Sequence, residues 1–255
     1  MTIQIDNQRI SYQETGQGQA LVVLHGWGCN KEMFQFMHDH FSGRFRVISV
    51  DLPGFGQSEE PKSVWGTHDY AACIARLLKA LGVDNPIVFG HSFGGRVLLA
   101  LAGQMPIEKM ILTGSAGLVP RRPLSYYVRV AWFKTAKWIY RHSPLKKLYP
   151  DWLEKKRQNA GSADYRQASP QMRKVLVKVI NEDLAAEITQ ISVPTILLWG
   201  TEDTATPLSD GRRMAGLLRD GALIPLEGGS HYAILEQKNR CLTIMDAFVG
   251  GQTNE

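Results

Sequence analysis

Three residues that can together activate a hydroxyl stand far apart in this 255-residue chain, each in a glycine-containing turn. They are Ser92 in Gly90-His91-Ser92-Phe93-Gly94-Gly95, Asp203 in Gly200-Thr201-Glu202-Asp203, and His231 in Gly228-Gly229-Ser230-His231. A serine hydroxyl becomes a nucleophile only when a base takes its proton. An imidazole serves as that base when a carboxylate holds its tautomer and offsets the charge it gains. Ser92 lies between the apolar run Ile87-Val88-Phe89 and a helix-like stretch from Arg96, so its G-x-S-x-G pattern sits in the strand-to-helix setting of a nucleophile elbow. Glycines at 90 and 94 keep side chains out of a place where strand and helix nearly touch, and the serine itself takes a strained backbone conformation. The turn lacks both the Gly-Lys-Ser/Thr ending of a phosphate loop and the G-x-G-x-x-G register of a dinucleotide site.

The order Ser, Asp, His is that of the triad that accompanies this elbow. Glu202 is the alternative to Asp203, and the loop position favours Asp203. An oxyanion formed at the substrate carbonyl needs backbone N–H donors. One is expected from Phe93 and the other from Trp27 in His25-Gly26-Trp27-Gly28, whose ring can also wall the pocket. Of the other histidines, His25 and His91 read as organisers of their loops, and His68 and His142 as surface positions. His38 and His40, two apart on a predicted helix, face different ways and read as a solvated helix surface rather than a metal pair. Cys29 reads as a small loop residue, because nothing basic is placed to activate it.

The elements that must position these residues alternate. Leu21 to Leu24, Phe45 to Val50, Ile87 to Phe89, Met110 to Leu112, Thr195 to Trp199 and Ala222 to Leu226 have the length of buried strands. Helical spacing fills the gaps: Asn30 caps a stretch carrying Met33, Phe34, Met37 and Phe41, and Asp69 to Leu81 stops at Gly82. Such alternation predicts a parallel sheet covered by helices. Ile3 to Ile5 and Arg9 to Gln13, joined by Asn7-Gln8, predict an antiparallel hairpin at its edge. Residues 118–182 read differently, with helix-like spacing over Tyr126 to Tyr140 and Met172 to Val179 and no strand-like run. The expected division is therefore a core of residues 1–115 and 183–255 and a helical, basic cap of residues 116–182.

Charge marks the same segment. The chain carries a net +5, yet residues 118–182 hold 15 Lys and Arg against 4 acids, and the remainder holds 14 against 20. With no nucleic-acid motif beside them, these bases do not signal a nucleic-acid partner. A composition of 44% hydrophobic and 21% charged residues excludes disorder, collagen and coiled coil. Three irregularly spaced cysteines, Cys29, Cys73 and Cys241, exclude a disulfide framework and a Cys-x-x-Cys site. No run reaches the length of a membrane span and the start lacks a signal-peptide layout, so a cytoplasmic location is expected.

His25-Gly26-Trp27-Gly28, Asp51-Leu52-Pro53-Gly54-Phe55-Gly56-Gln57-Ser58, the Ser92 elbow, Gly200-Thr201-Glu202-Asp203 and Gly229-Ser230-His231 together resemble the α/β-hydrolase superfamily along almost the whole chain. The resemblance implies an eight-stranded, mostly parallel sheet with one antiparallel strand and helices on both faces, a helical cap after the sixth strand, and Ser92, Asp203 and His231 as the triad. Serine at the elbow departs from the haloalkane dehalogenases and epoxide hydrolases, which have Asp there. The carbon–carbon-bond hydrolases share the serine but typically have a Gly-Pro-Gly loop and a Trp after the histidine, where this chain has Trp27-Gly28-Cys29 and Tyr232. The cofactor-free haloperoxidase branch has a similar triad and is not marked positively.

On a helical wheel, Lys134, Lys137 and Arg141 fall within about 60° while Val128, Trp132, Thr135, Ala136 and Ile139 share the far side. The expected arrangement packs that apolar side over the serine and leaves the lysines in solvent; attraction to anionic lipid is the alternative. Cap aromatics such as Tyr126, Tyr127, Trp132, Phe133 and Trp138 suggest an apolar acyl or aromatic pocket, for which Trp27, Phe93, Trp132 and Tyr232 are the expected lining. The expected activity is hydrolysis of small or medium apolar carboxylic esters without metal or organic cofactor, by a monomer or weak dimer. A carbon–carbon-bond hydrolase, a lysophospholipase-like enzyme and a poorly catalytic ligand-binding receptor are the alternatives.

Overall fold

The computed structural model describes residues 1–119, 124–142 and 163–250. In chain order these form β1 (Thr2–Ile5), β2 (Gln8–Thr15), β3 (Ala20–Leu24), a 3-10 turn (Lys31–Phe34), α1 (Gln35–Phe41), β4 (Arg46–Val50), α2 (Thr67–Ala80), β5 (Ile87–His91), α3 (Phe93–Leu101) and β6 (Lys109–Thr113). There follow α4 (Leu124–His142), α5 (Ala163–Gln167), α6 (Pro170–Val179), α7 (Ala185–Ile188), β7 (Thr195–Gly200), α8 (Leu208–Leu217), β8 (Gly221–Leu226), α9 (Ala233–Glu236) and α10 (Lys238–Val249).

The eight strands form one sheet in the order β1-β2-β4-β3-β5-β6-β7-β8. β2 alone runs against its neighbours. The β1–β2 connection is the two-residue turn Asp6-Asn7, both at positive φ, one position earlier than the spacing suggested. Polar Asp and Asn tolerate that conformation and match the twist of a hairpin. Strands β3 to β7 are apolar on both sides because both faces are covered. Leu21, Val23, Phe89, Ile111 and Leu198 join Phe34, Met37 and Phe41 and, from α10, Leu242 and Met245 in one core. The alternate residues Val22, Val88, Leu112 and Leu197 are equally buried.

The sheet order doubles back around β3: α1 leads from β3 to β4 on one side, and α2 leads from β4 to β5 on the other. Loops following β3 and β5 therefore meet at a switch point on the carboxyl edge, where parallel sheets hold ligands. By Cα proximity the chain divides into two compact units, Met1–Leu118 with Pro170–Glu255, and Val119–Ser169. In the larger unit, Leu184 N–H donates to Gly117 O at 2.9 Å, so the chain is tied together where it leaves after β6 and where it returns.

Helix α3 begins at Phe93, three residues before the expected Arg96, because the glycine pair lies in its first turn. A Cβ on Gly90 would stand 2.7 Å from Gly95 Cα and N, and one on Gly94 would stand 2.3 Å from Leu24 O. We expect Gly90→Ala to lose about 3 kcal/mol of stability in urea unfolding, since the obstruction is backbone. Gly43→Ala, with no atom within 4 Å of its added carbon, should stay within about 0.5 kcal/mol of the parent.

Candidate active site

Ser92 occupies the turn between β5 and α3 with φ 51° and ψ −109°, a conformation that L-residues avoid. Three main-chain bonds hold it: Ser92 N–H donates to Thr113 O, and Ser92 O accepts from Arg96 and Ala116 N–H. The loop after β3 comes against the same turn, since a Cβ on Gly26 would lie 3.4 Å from Ser92 Cβ. Among the described residues, neither the Trp27 nor the Phe93 N–H has an acceptor. These are the two amides expected to receive an oxyanion.

Asp203 follows β7 and His231 follows β8, so both stand on the carboxyl edge with Ser92. The His231 Nδ1–H donates to Asp203 Oδ2 at 2.8 Å, and the carboxylate is wholly buried. Asp203 Oδ1 also accepts from Ala205 and Thr206 N–H, both at 2.9 Å. The Thr206 hydroxyl lies 2.9 Å from Oδ2 and 3.0 Å from Gly114 O, two acceptors for its single proton. Burial alone would raise the Asp203 pKa, but the bonds from His231 and Thr206 outweigh it and hold the group below the ordinary carboxylate range. The Thr206 main chain is fixed in turn by the fully buried Trp199, whose Nε1–H donates to Thr206 O at 2.7 Å.

Thr206 is absent from the sequence reading. The available signal was its place three residues after Asp203, where an aspartate accepts from following amides in a tight turn. Glu202 shows no bond to His231 among the described residues.

His91 lies beneath, its ring 4.8 Å from that of His231. Burial first, and then the neighbouring His231, lower its pKa to about 3, so it stays neutral and can donate from Nδ1 to Thr113 O. His25 is likewise buried and its pKa is lowered to about 4, chiefly by burial. It accepts from Leu52 N–H at Nε2, which leaves Nδ1–H to donate to Gly26 O. Both histidines therefore organise loops. His38 does not fit the expected solvated surface: it is 2% exposed, with Thr15 Oγ1 on Nδ1 at 2.7 Å and Ser49 Oγ on Nε2 at 2.8 Å. A buried imidazole is tolerable where both nitrogens are satisfied. His40, His68 and His142 are exposed.

The segment Asp51 to Ser58 is folded around the Asp51 carboxylate. It accepts from Lys31 N–H at 2.7 Å, Lys31 Nζ at 2.8 Å and Gln57 N–H at 3.0 Å. Gly56, at φ 54°, is required there, since a Cβ would fall 2.3 Å from that carboxylate. The turn presents Phe55 to the site, another residue absent from the expected lining. Its ring lies 4.8 Å from Trp27 and 6.3 Å from Phe93, while Trp27 and Phe93 are 5.2 Å apart. Tyr70 closes on Phe93 at 5.0 Å and donates its hydroxyl hydrogen to Pro53 O. Tyr232 is 44% exposed, with its ring 5.5 Å from those of His91 and His231. Trp132 belongs to the other unit and is 71% exposed.

The side chains of Tyr126, Tyr127, Phe133, Lys137 and Arg141, and the whole of Lys146, Lys147, Lys155, Lys156 and Arg157, lie outside the described residues. Among the described residues, no group of three or more His, Cys, Asp or Glu is placed to hold a metal ion, and no helix is long and apolar enough to cross a membrane.

Residues 21–241 match the Alpha/beta hydrolase family, and the chain belongs to it. It is 26% identical to the AB hydrolase superfamily protein YisY of Bacillus subtilis (strain 168), over 92% of this chain and 93% of that protein. Among solved structures, an esterase from Exiguobacterium antarcticum superposes with TM-score 0.77 at 24% identity, covering 98% of this chain and 99% of the other. A meta-cleavage product hydrolase from Pseudomonas fluorescens IP01 does so with TM-score 0.73 at 20% identity, covering 98% and 97%. At these identities the likeness to the two structures is one of fold.

The Lys31–Asp51 pair underlies the aromatic wall and yields a measurable consequence. Burial raises the Asp51 pKa, and the bonds from Lys31 and Gln57 more than offset it, so the folded pKa lies below the ordinary value. Its contribution is present above the unfolded pKa and lost as pH falls through the folded one. Lys31→Met is expected to cost about 3 kcal/mol at pH 7, by stranding a buried carboxylate. The gap between variant and parent in urea unfolding should narrow below about pH 4, as that carboxylate takes up a proton.

Proposed function

We propose that this protein is a serine hydrolase of carboxylic esters with small or medium apolar acyl groups. The observation that carries this reading is the His231 Nδ1–H to Asp203 Oδ2 bond at 2.8 Å, on the same sheet edge as the strained Ser92 turn. With Nδ1 committed to Asp203, the other ring nitrogen is the one available as base. Ser92 Oγ attacks the carbonyl carbon as His231 takes its proton. The Trp27 and Phe93 amides receive the oxyanion, and His231 returns the proton to the departing alcohol. Water, activated by His231, then releases the acid from the acyl-enzyme. Trp27, Phe55 and Phe93, backed by the buried Tyr70, supply an apolar aromatic wall suited to an acyl chain. Tyr232 completes the proposed lining, and no cofactor takes part. We place the protein in the cytoplasm on its irregularly spaced cysteines.

The test is hydrolysis of p-nitrophenyl butyrate by the parent and by Ser92→Ala. The expected loss in kcat is about 10^4-fold or more. Equal rates would remove Ser92 as the nucleophile. Turnover of a vinylogous diketone with none of esters would move the assignment to carbon–carbon cleavage. A ligand that stabilises the protein without being consumed would move it to a receptor.

Thr206→Val, which keeps the amide and shape but deletes the hydroxyl, should lower kcat for the ester about tenfold with KM unchanged. Thr206→Ser should recover most of the rate. An unaltered kcat in the valine variant would show that the hydroxyl does not position Asp203 and His231.

A further inference from the structure

Helix α4 carries four large apolar side chains in the open: Val128 is 62% exposed, Trp132 71%, Trp138 63% and Ile139 48%. Scattered exposed hydrophobics are ordinary, but a contiguous set marks an interaction surface. At 100° per residue, Val128, Trp132, Thr135 and Ile139 fall within about 60°, and Ala131 and Trp138 adjoin one edge. Lys134, also exposed, comes next around the helix, and the sequence places Arg141 and Lys137 on the same flank. Among the described residues of this helix Tyr140 is the buried one, and it lies about 100° round from the stripe. The result is an apolar stripe bounded by a basic flank, on a helix of 19 residues and about 28 Å.

We propose that α4 is a membrane-surface helix. It lies in the headgroup layer of an anionic bilayer, with Val128, Ile139 and the two tryptophans toward the acyl chains and the Lys134 flank toward the lipid phosphates. Three observations select this occupant. The 15 bases against 4 acids in residues 118–182 complement an anionic surface and repel the same surface of a second copy. Nucleic acid would meet the bases but leave Val128 and Ile139 without a partner, whereas a bilayer satisfies both faces of the helix. Tryptophan, with an apolar ring and one N–H, suits the boundary between headgroup and chain. The helix is not apolar enough to span, so it lies along the surface. None of this depends on the ester reading.

The experiment is flotation of the full chain with vesicles of phosphatidylglycerol mixed with phosphatidylcholine, beside vesicles of phosphatidylcholine alone. Binding is expected to the anionic vesicles only and to weaken as salt is raised to about 0.5 M. Lys134→Glu should weaken partitioning about fivefold. Val128→Ser/Ile139→Ser should weaken it about tenfold or more, with an unchanged circular dichroism spectrum and urea midpoint showing that the fold is intact. Equal binding to both vesicle types, binding to neither, or binding untouched by the two variants would overturn the proposal.

Discussion

At the Ser92 turn the chain passes from β5 into α3 with no room for a side chain between them. Gly90 faces the Gly95 backbone and Gly94 faces the carbonyl of Leu24, so strand, helix and the loop after β3 converge within one atomic layer. That closeness forces Ser92 to positive φ, because no relaxed backbone turns so sharply in so short a space. The strain persists because neighbours over-determine it: Thr113, Arg96 and Ala116 all bond the Ser92 main chain. The same convergence brings the loop carrying Trp27 against the Ser92 turn.

Two buried carboxylates frame this point from either side. Asp51 sits after β4 and Asp203 after β7, each wholly buried by side chain and each tied to main-chain amides of its own loop as well as one basic partner. Their chemistry diverges through that partner. Lys31 reaches Asp51 with both its main-chain N–H and its Nζ, which makes the Asp51 loop a support for Phe55 and, through Leu52 and His25, for the loop carrying Trp27. His231 meets Asp203 through the single ring nitrogen Nδ1. One fold thus uses the same device twice, a buried carboxylate bonded both to amides of its own loop and to one basic side chain.

The strands and the elbow were legible in the sequence because their signals are local: apolar runs ended by glycine or aspartate, and a glycine pattern between a strand and a helix. The pairing of Asp203 with His231 is legible from their loop positions, from the chain order Ser, Asp, His that accompanies the elbow, and from the family resemblance. What escaped depends on side chains meeting across long separations. His38 looked solvent-facing beside Asp39 and His40, and only the arrival of Thr15 and Ser49 from two strands makes its burial tolerable. Thr206 and Phe55 are unremarkable as types, and matter because a carboxylate or a ring is brought to them. Helix α3 starts three residues before the Arg96 that the sequence suggests, because glycines usually end a helical pattern, whereas here they permit close contact in its first turn.

Leu184 N–H bonds to Gly117 O, so the chain departs and returns at the same spot. Arg96 and Thr67 hold the returning strand of chain through Glu182. The register of β6 against β7 is therefore insensitive to the length of the segment between residues 119 and 169. Loop-closure entropy rises by only about 0.6 kcal/mol for each doubling of length, so insertions there are nearly free for the sheet. The segment of residues 119–169 can change its size, charge and surface chemistry while the Ser92 edge keeps its geometry, provided that the chain from Pro170 to Glu182 still returns onto the core.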